Sequence, residues 1–161
     1  MICISGTPGT GKSSVLSALS KMGYKCSELS ELSSVCVVGI EDGEKMIDVN
    51  CLKKIDFDGV VAGHLSHYMR CDAVIILRSH LKDLENRLKL RGYSKEKIMD
   101  NVEAEAIDLI GYEAEEMHPG KVSEILNENL DETIYKVLQI IDNKKSYDDK
   151  IDLSEEIMLW Y

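Results

Sequence analysis

The sequence predicts a three-layer α/β fold, a parallel five-stranded sheet with helices on both faces, on three observations. Near-continuous apolar runs recur in Ile2-Cys3-Ile4, in Asp58 to His64 and in Asp72 to Arg78. Such runs mark strands buried on both faces. Segments with helical periodicity separate them, as the crossovers between parallel strands require. Finally, Gly6-Thr7-Pro8-Gly9-Thr10-Gly11-Lys12-Ser13 fits the phosphate-binding pattern of glycine, four residues, then Gly-Lys-Ser, and it lies between a strand and a helix. Its glycines let the backbone approach an anion without a Cβ in the way. Successive N–H groups and the helix N-terminus then face a phosphate. Lys12 reaches the β- and γ-phosphates, and the Ser13 hydroxyl takes Mg²⁺.

The elements follow in order. Ile2 to Ile4 is the first strand. Lys12 to Met22 reads as a helix with Val15, Leu16 and Leu19 on one side. Gly23-Tyr24-Lys25-Cys26 makes a turn that leads into a short second strand. Ser27 to Val49 is polar and uneven. Ser27-Glu28-Leu29 suits the start of a short helix, and Ile40-Glu41-Asp42-Gly43-Glu44 suits a turn between two extended pieces. Asn50 to Ile55 reads as a short helix with Asn50 as its cap. After the two central strands, Ser79 to Leu90 is a helix with Leu81, Leu84 and Leu88 inward, broken by Gly92-Tyr93-Ser94. Ser94 caps a helix running to about Met117, with a stripe of Ile98, Val102, Ala106 and Leu109. His118-Pro119-Gly120 ends it. Val122 to Leu126 is the last strand. Leu130 to Ile141 is a helix, and Ile151 to Tyr161 a terminal one that tucks in Leu159 and Trp160.

Ligands in sheets of this kind sit at the C-terminal ends of the strands. That places the phosphate loop, His64 and Arg78 on one edge. The chain has 161 residues, which suits one domain, and its net charge of −10 argues against a nonspecific grip on nucleic acid. All of its arginines fall between Arg70 and Arg91. They serve either phosphate recognition or an ordinary solvated helix face. Five scattered cysteines with no Cys-x-x-Cys pair argue against a zinc site or a disulfide framework, and for a reducing cytoplasm. Cys3 and Cys71 are read as small core hydrophobes. No signal peptide or transmembrane run is expected.

A phosphate loop alone does not choose between ATPase, GTPase and kinase. No Asn-Lys-x-Asp guanine-reading motif is present. Arg87 and Arg91 share a helix face just ahead of Gly92. Arginines at a lid hinge suit transfer between two anionic substrates, which must be brought together, neutralised and shielded from water. A nucleoside monophosphate kinase of P-loop NTPase fold is therefore expected.

At this point the chain resembles a known family. The loop, the run Gly63-His64-Leu65-Ser66-His67-Tyr68, and Leu88 to Ile98 followed by Asp100-Asn101-Val102-Glu103-Ala104-Glu105 are similar to the archaeal branch of the adenylate kinase isoenzyme 6 family, over about residues 1–142. The resemblance implies an adenylate kinase-like fold, Mg²⁺-dependent phosphoryl transfer from ATP to a nucleoside monophosphate such as AMP, and some ATPase activity. It also implies a part in maturation of the small ribosomal subunit and its 16S rRNA, through a basic platform ribosomal protein. By the same resemblance Gly9, Gly11, Lys12, Ser13 and Ser14 bind ATP phosphates and Mg²⁺, and Arg91 is a lid arginine on ATP. Residues 27–50 form the monophosphate-binding region, 90–100 the lid, and Asp48 matches an acidic position in the former. One departure stands out: Ala62-Gly63-His64 has alanine where the family carries an acidic residue. The alternative reading is an ATP-gated assembly factor with weak or incidental kinase activity.

Among single residues, Lys12, His64, Arg87 and Arg91 are the catalytic candidates. His64 is read either as orienting the attacking group or a phosphate, or as a hydrogen-bonded loop histidine. Arg78 is expected on a substrate phosphate. Glu103, Glu105, Asp108, Glu113, Glu115 and Glu116 form either a solvated face or a dock for the basic protein. A monomeric, cytoplasmic protein without sequence-specific DNA binding is expected.

Overall fold

The computed structural model describes Met1–Tyr161. Five strands, β1 (Ile2–Ser5), β2 (Cys26–Glu28), β5 (Val60–Ala62), β6 (Ala73–Arg78) and β7 (Val122–Leu126), form one parallel sheet in the order β2-β5-β1-β6-β7. The register sets Cys3 opposite Val61 and Val74, and Ile4 opposite Ala62 and Ile75. Side chains alternate across a strand, so Cys3, Val61, Val74 and Ile76 build the core on one face. Ile4, Val60, Ala62, Ile75 and Leu77 build it on the other. Helices α1 (Lys12–Lys21) and α7 (Leu130–Asn143) cover the second face through Val15, Leu16, Leu19, Val137 and Ile140. The short helices α2 (Leu29–Leu32) and α3 (Val49–Leu52) join α6 (Leu109–Met117) over the first, through Leu29, Leu52 and Ala114. The chain passes from β5 on one side of β1 to β6 on the other. The phosphate loop that follows β1 therefore opens at a switch point of the sheet.

Strands β3 (Val37–Glu41) and β4 (Glu44–Ile47) make a separate antiparallel hairpin. Asp42 and Gly43 at its tip both have positive φ, 50° and 77°, the geometry of the tight turn that matches strand twist. This is the turn between extended pieces that the sequence predicts. The cap of α3 differs from expectation. Asp48, one residue before the helix, accepts the Asn50 N–H, so Asn50 is inside the helix and not its cap.

A third cluster forms where α4 (Leu81–Leu90) meets α5 (Lys95–Ala106), with Leu81, Leu84, Leu88, Ile98 and Val102. The expected single helix to Met117 is two helices. Asp108 adopts a left-handed conformation at φ 55° and ends α5, and Leu109 is left exposed. The C-terminal segment is a strap, with one helical turn, α8 (Ser154–Ile157), and a short 3₁₀ turn. Leu153 anchors it and Trp160 packs beside it, but the expected inward Leu159 is 88% exposed. The strap also reaches the start of α4. Glu156 accepts the Leu81 N–H at 2.8 Å and contacts His80 Nδ1 at 2.5 Å. His80 is held between Glu156 and Glu128, whose hydrogen bonds raise its pKa.

Two disulfides correct the cysteine reading. Cys3 joins Cys71 and Cys36 joins Cys51, with Cα separations of 5.9 and 5.5 Å. Cys26 alone is free. Cys3 and Cys71 are in the core as expected, but as a bonded pair.

Candidate active site

The loop between β1 and α1 is built to leave donors unused. Gly11 precedes α1 in the left-handed region at φ 99°, and no side chain caps the helix. A Cβ there would come within 2.2 Å of Asn127 Nδ2, so the position requires glycine on both counts. The N–H groups of Gly9, Gly11, Lys12, Ser13 and Ser14 donate to no protein acceptor. Five orphan donors at a helix N-terminus form an anion cradle.

Buried side chains hold this cradle in shape. Asn127 Nδ2 donates to the Thr10 carbonyl at 2.8 Å and its Oδ1 accepts from Thr133. Arg87 Nη1 donates to the Gly9 carbonyl at 3.0 Å. Thr7 Oγ1 donates to Glu105 Oε1 at 2.9 Å. Lys12 Nζ donates to the carbonyls of Gly6 and Thr7 at 2.8 and 2.9 Å.

The loop floors a cleft of about 720 Å³. Ala62, Gly63 and His64 at the end of β5 form one side, and Glu28 and Leu29 continue it. The hairpin contributes Val37, Glu44, Lys45 and Ile47; the opposite lip contributes Arg91, Tyr93, Lys97 and Asn101. The residues from Ser27 to Asn50 and from Leu90 to Asp100 thus face each other, and Lys97 bridges to Glu44 across the opening. Lys12, Lys45, Arg91 and Lys97 supply four cations against two carboxylates, Glu28 and Glu44. A net-positive cleft in a protein of net charge −10 concentrates anions by focusing the field.

Burial first, and then the charge of Arg91, push the Lys12 ammonium down to about 7, while Glu105 and Glu28 pull the other way. The ring of His64 is reachable from the cleft, yet its surroundings hold its pKa below the usual value, burial first and Lys12 next. His64 is therefore a neutral hydrogen-bonding group at neutral pH. His67 is structural: it is buried and bonds Ser5 Oγ at 2.8 Å and Glu113 at 3.0 Å.

Of the residues expected at the site, Gly9, Gly11, Lys12, Ser13, His64 and Arg91 line the cleft together. Ser14 contributes its N–H from the first turn of α1. Arg87 lies behind the loop on the Gly9 carbonyl. Asp48 is exposed and occupied as the cap of α3. Arg78 corrects the sequence reading outright: it is fully buried and cannot meet a substrate phosphate. Its guanidinium contacts Glu105 at 3.2 Å, Glu124 at 2.8 Å, Asp108 at 3.3 Å and the Ile151 carbonyl at 2.7 Å. In that cluster Asp108 is pushed up to about 8, by burial first and then by the neighbouring Glu124. Burial acts to raise Glu124 too, but Asp108, the Lys150 ammonium at 2.8 Å and Arg78 outweigh it and hold Glu124 below its usual value. Sequence reasoning missed Glu105 and Asn127 as braces of the loop. For the Arg78 cluster the available signal was Glu124, a carboxylate in the buried stretch Val122 to Leu126, since buried charge demands a partner.

Strand, glycine loop, uncapped helix and flanking cationic cleft define a P-loop nucleotide-binding protein. Residues 2–108 match the family described as AAA domain. Over 146 residues the chain is 46% identical to a protein of Archaeoglobus fulgidus, which covers 88% of this chain and 82% of that one. Over 151 residues it is 38% identical to one of Thermoplasma volcanium, at 89% and 95% coverage. Both are named "Putative adenylate kinase". The chain belongs to this archaeal adenylate kinase family. Among solved structures, TT1252 of Thermus thermophilus is similar in fold, with a TM-score of 0.55 and 16% identity over 90% of this chain and 97% of that one.

Proposed function

We propose that the chain is a nucleoside monophosphate kinase that moves the γ-phosphoryl group of ATP to a monophosphate, AMP above others, giving two ADP. The observation that carries this reading is the net-positive cleft: free N–H groups of the phosphate loop floor it, and two facing lips leave room for a second anion. The names of the archaeal relatives support it.

The donor set around the loop suits Mg²⁺ carried in with ATP. Ser13 offers a hydroxyl and Glu28 a carboxylate, both hard oxygen donors, and no cluster of three ligating side chains exists that would hold an ion by itself. Mg²⁺ retains several waters and takes phosphate oxygens, so Ser13 would hold it with the triphosphate, where it neutralises phosphate charge. The chain's own groups do the rest. The loop N–H groups and Lys12 stabilise charge on the migrating phosphoryl. Arg91 neutralises the paired phosphates from the lid, which Gly92, at φ 77°, allows to pivot. Neutral His64 hydrogen-bonds the monophosphate or the attacking oxygen. Arg87 acts on the loop through the Gly9 carbonyl.

ADP formation from MgATP, measured with and without AMP beside Lys12→Ala, tests the reading. AMP stimulation that disappears in the variant is expected. ATP binding without AMP-dependent turnover would overturn it in favour of an ATP-gated assembly factor. The latter role, with ATPase activity and 16S rRNA maturation on the pre-small ribosomal subunit, rests on resemblance to the isoenzyme 6 family. The acidic dock it would use is smaller than the sequence suggests. Glu105 and Asp108 are buried, and Glu113 is engaged by His67 and Tyr68. Glu103, Glu115 and Glu116 remain, which favours the kinase reading.

A further inference from the structure

Thr7 is the most heavily used residue of the phosphate loop. Its carbonyl accepts the Thr10 N–H at 3.3 Å, the Thr10 hydroxyl at 2.9 Å and Lys12 Nζ at 2.9 Å. Whatever fixes Thr7 therefore fixes the turn of the loop and the resting place of the lysine. Its own side chain, 3% exposed, has a single hydrogen-bond partner, Glu105 Oε1 at 2.9 Å.

Glu105 is itself rigidly held. Its side chain is 3% exposed. Oε2 accepts the Ser79 N–H at 2.8 Å and Arg78 Nε at 3.2 Å, and the Glu105 carbonyl accepts Arg78 Nη2 at 2.6 Å. Both carboxylate oxygens are engaged, Oε2 twice, so the group has little freedom to follow Thr7 elsewhere. A charge-assisted hydrogen bond in such surroundings is short, directional and strong.

The placement of Glu105 along the chain gives the contact a second consequence. It lies near the C-terminal end of α5, whose first residues, Lys95 to Asp100, belong to the lid stretch. The N-terminal part of that helix lines the cleft with Lys97 and Asn101. At 1.5 Å per residue, the ten residues from Lys95 to Glu105 span about 15 Å. One helix thus touches the cleft at one end and grips the loop at the other.

We propose that Glu105 is a positioning residue that, through the Thr7 hydroxyl, fixes the phosphate loop to the helix carrying the lid. ATP binding then depends on a side chain that never touches the nucleotide. Monophosphate binding, on the hairpin side, does not depend on it. The kinetic part of the inference rests on the kinase reading above; the binding part does not.

The test is a double-mutant cycle on the full chain, with Thr7→Val, Glu105→Gln and both together, and with Thr7→Ser as the conservative rescue. MgATP affinity is read by titration calorimetry, and KM for each substrate by ADP formation. Thr7→Val is expected to weaken MgATP binding about tenfold, the low end for a lost hydrogen bond to a charged group. KM for the monophosphate stays within twofold, and Thr7→Ser restores affinity. The double variant binds no worse than the weaker single one, because Thr7→Val removes the link and Glu105→Gln, whose amide oxygen still accepts, removes the charge that strengthens it. Unchanged MgATP affinity in Thr7→Val, failure of Thr7→Ser to restore it, equal rises in both KM values, or additive losses in the cycle would each overturn the proposal. If Glu105→Gln does not fold, the Thr7 pair decides alone. Loss of affinity in Thr7→Val without AMP-dependent turnover in the parent protein would uphold the link while refuting the kinase reading.

Discussion

Raising the pH from 7 to 9 is expected to weaken MgATP binding about fiftyfold. The Lys12 ammonium, desolvated and repelled by Arg91, has a pKa of about 7 in the free protein. It is half protonated at pH 7 and only about one part in a hundred at pH 9, by the ordinary titration law that makes one pKa unit a factor of ten. Triphosphate oxygens favour the charged lysine and return its pKa toward the usual value of about 10.4. Binding above pH 7 must therefore take up a proton, and affinity falls as pH rises because the free protein has to be charged first. Titration calorimetry at pH 8 in two buffers of different ionisation enthalpy measures that proton directly; close to one per ATP is expected. Lys12→Arg, with a cation that does not titrate in this range, is expected to bind with a flat pH profile. An affinity that changes less than threefold from pH 7 to 9, with no buffer-dependent heat, would refute the reasoning.

Three further outcomes follow from the structure. Arg78→Met leaves Glu105 and Glu124 without their buried cation and is expected to cost about 3–5 kcal/mol in denaturant unfolding; a cost under about 1 kcal/mol would show that the cluster is not a structural unit. Thiol titration of the denatured, unreduced chain is expected to find one free thiol, Cys26, and reduction of the Cys36–Cys51 bond, which closes 15 residues, to cost about 3 kcal/mol. Five thiols before reduction would refute the pairing. Ala62→Asp brings a carboxylate to the cleft at the end of β5 and is expected to speed basal ATP hydrolysis about tenfold or more, since a positioned acid–base group contributes at least this much; hydrolysis no faster than in the parent would refute the reading that the alanine there keeps hydrolysis weak.

What the sequence made legible was local. The phosphate loop declares itself because its chemistry needs glycines and a lysine at fixed spacing. The central strands declare themselves because burial on both faces leaves no polar alternation. Asp42-Gly43 announced the hairpin turn, since few other pairs accept two positive φ angles. What stayed hidden was assembled at long range. Arg78 ends a strand at the expected edge, yet Glu105, Asp108, Glu124 and Ile151 converge on it from separate elements. The break at Asp108 carries no proline. It works because Gly111 leaves room for the Asp108 carboxylate, which a Cβ at 111 would meet at 2.2 Å. The Cys3–Cys71 pair spans 68 residues, and spacing alone gives no hint of such a partner.

The β3–β4 hairpin belongs to no larger sheet. Its strand hydrogen bonds run between its own two strands, its base is closed by the Asp48 N–H on the Cys36 carbonyl, and the Cys36–Cys51 bond pins that base to α3. Such a unit can swing like a stiff paddle, without tearing any ladder of the main sheet. Across the opening it is restrained by the exposed Glu44–Lys97 pair, a clasp worth no more than about 1 kcal/mol. Entry to the cleft is therefore mechanically inexpensive, and salt, which screens that clasp, loosens the gate without touching its hinge.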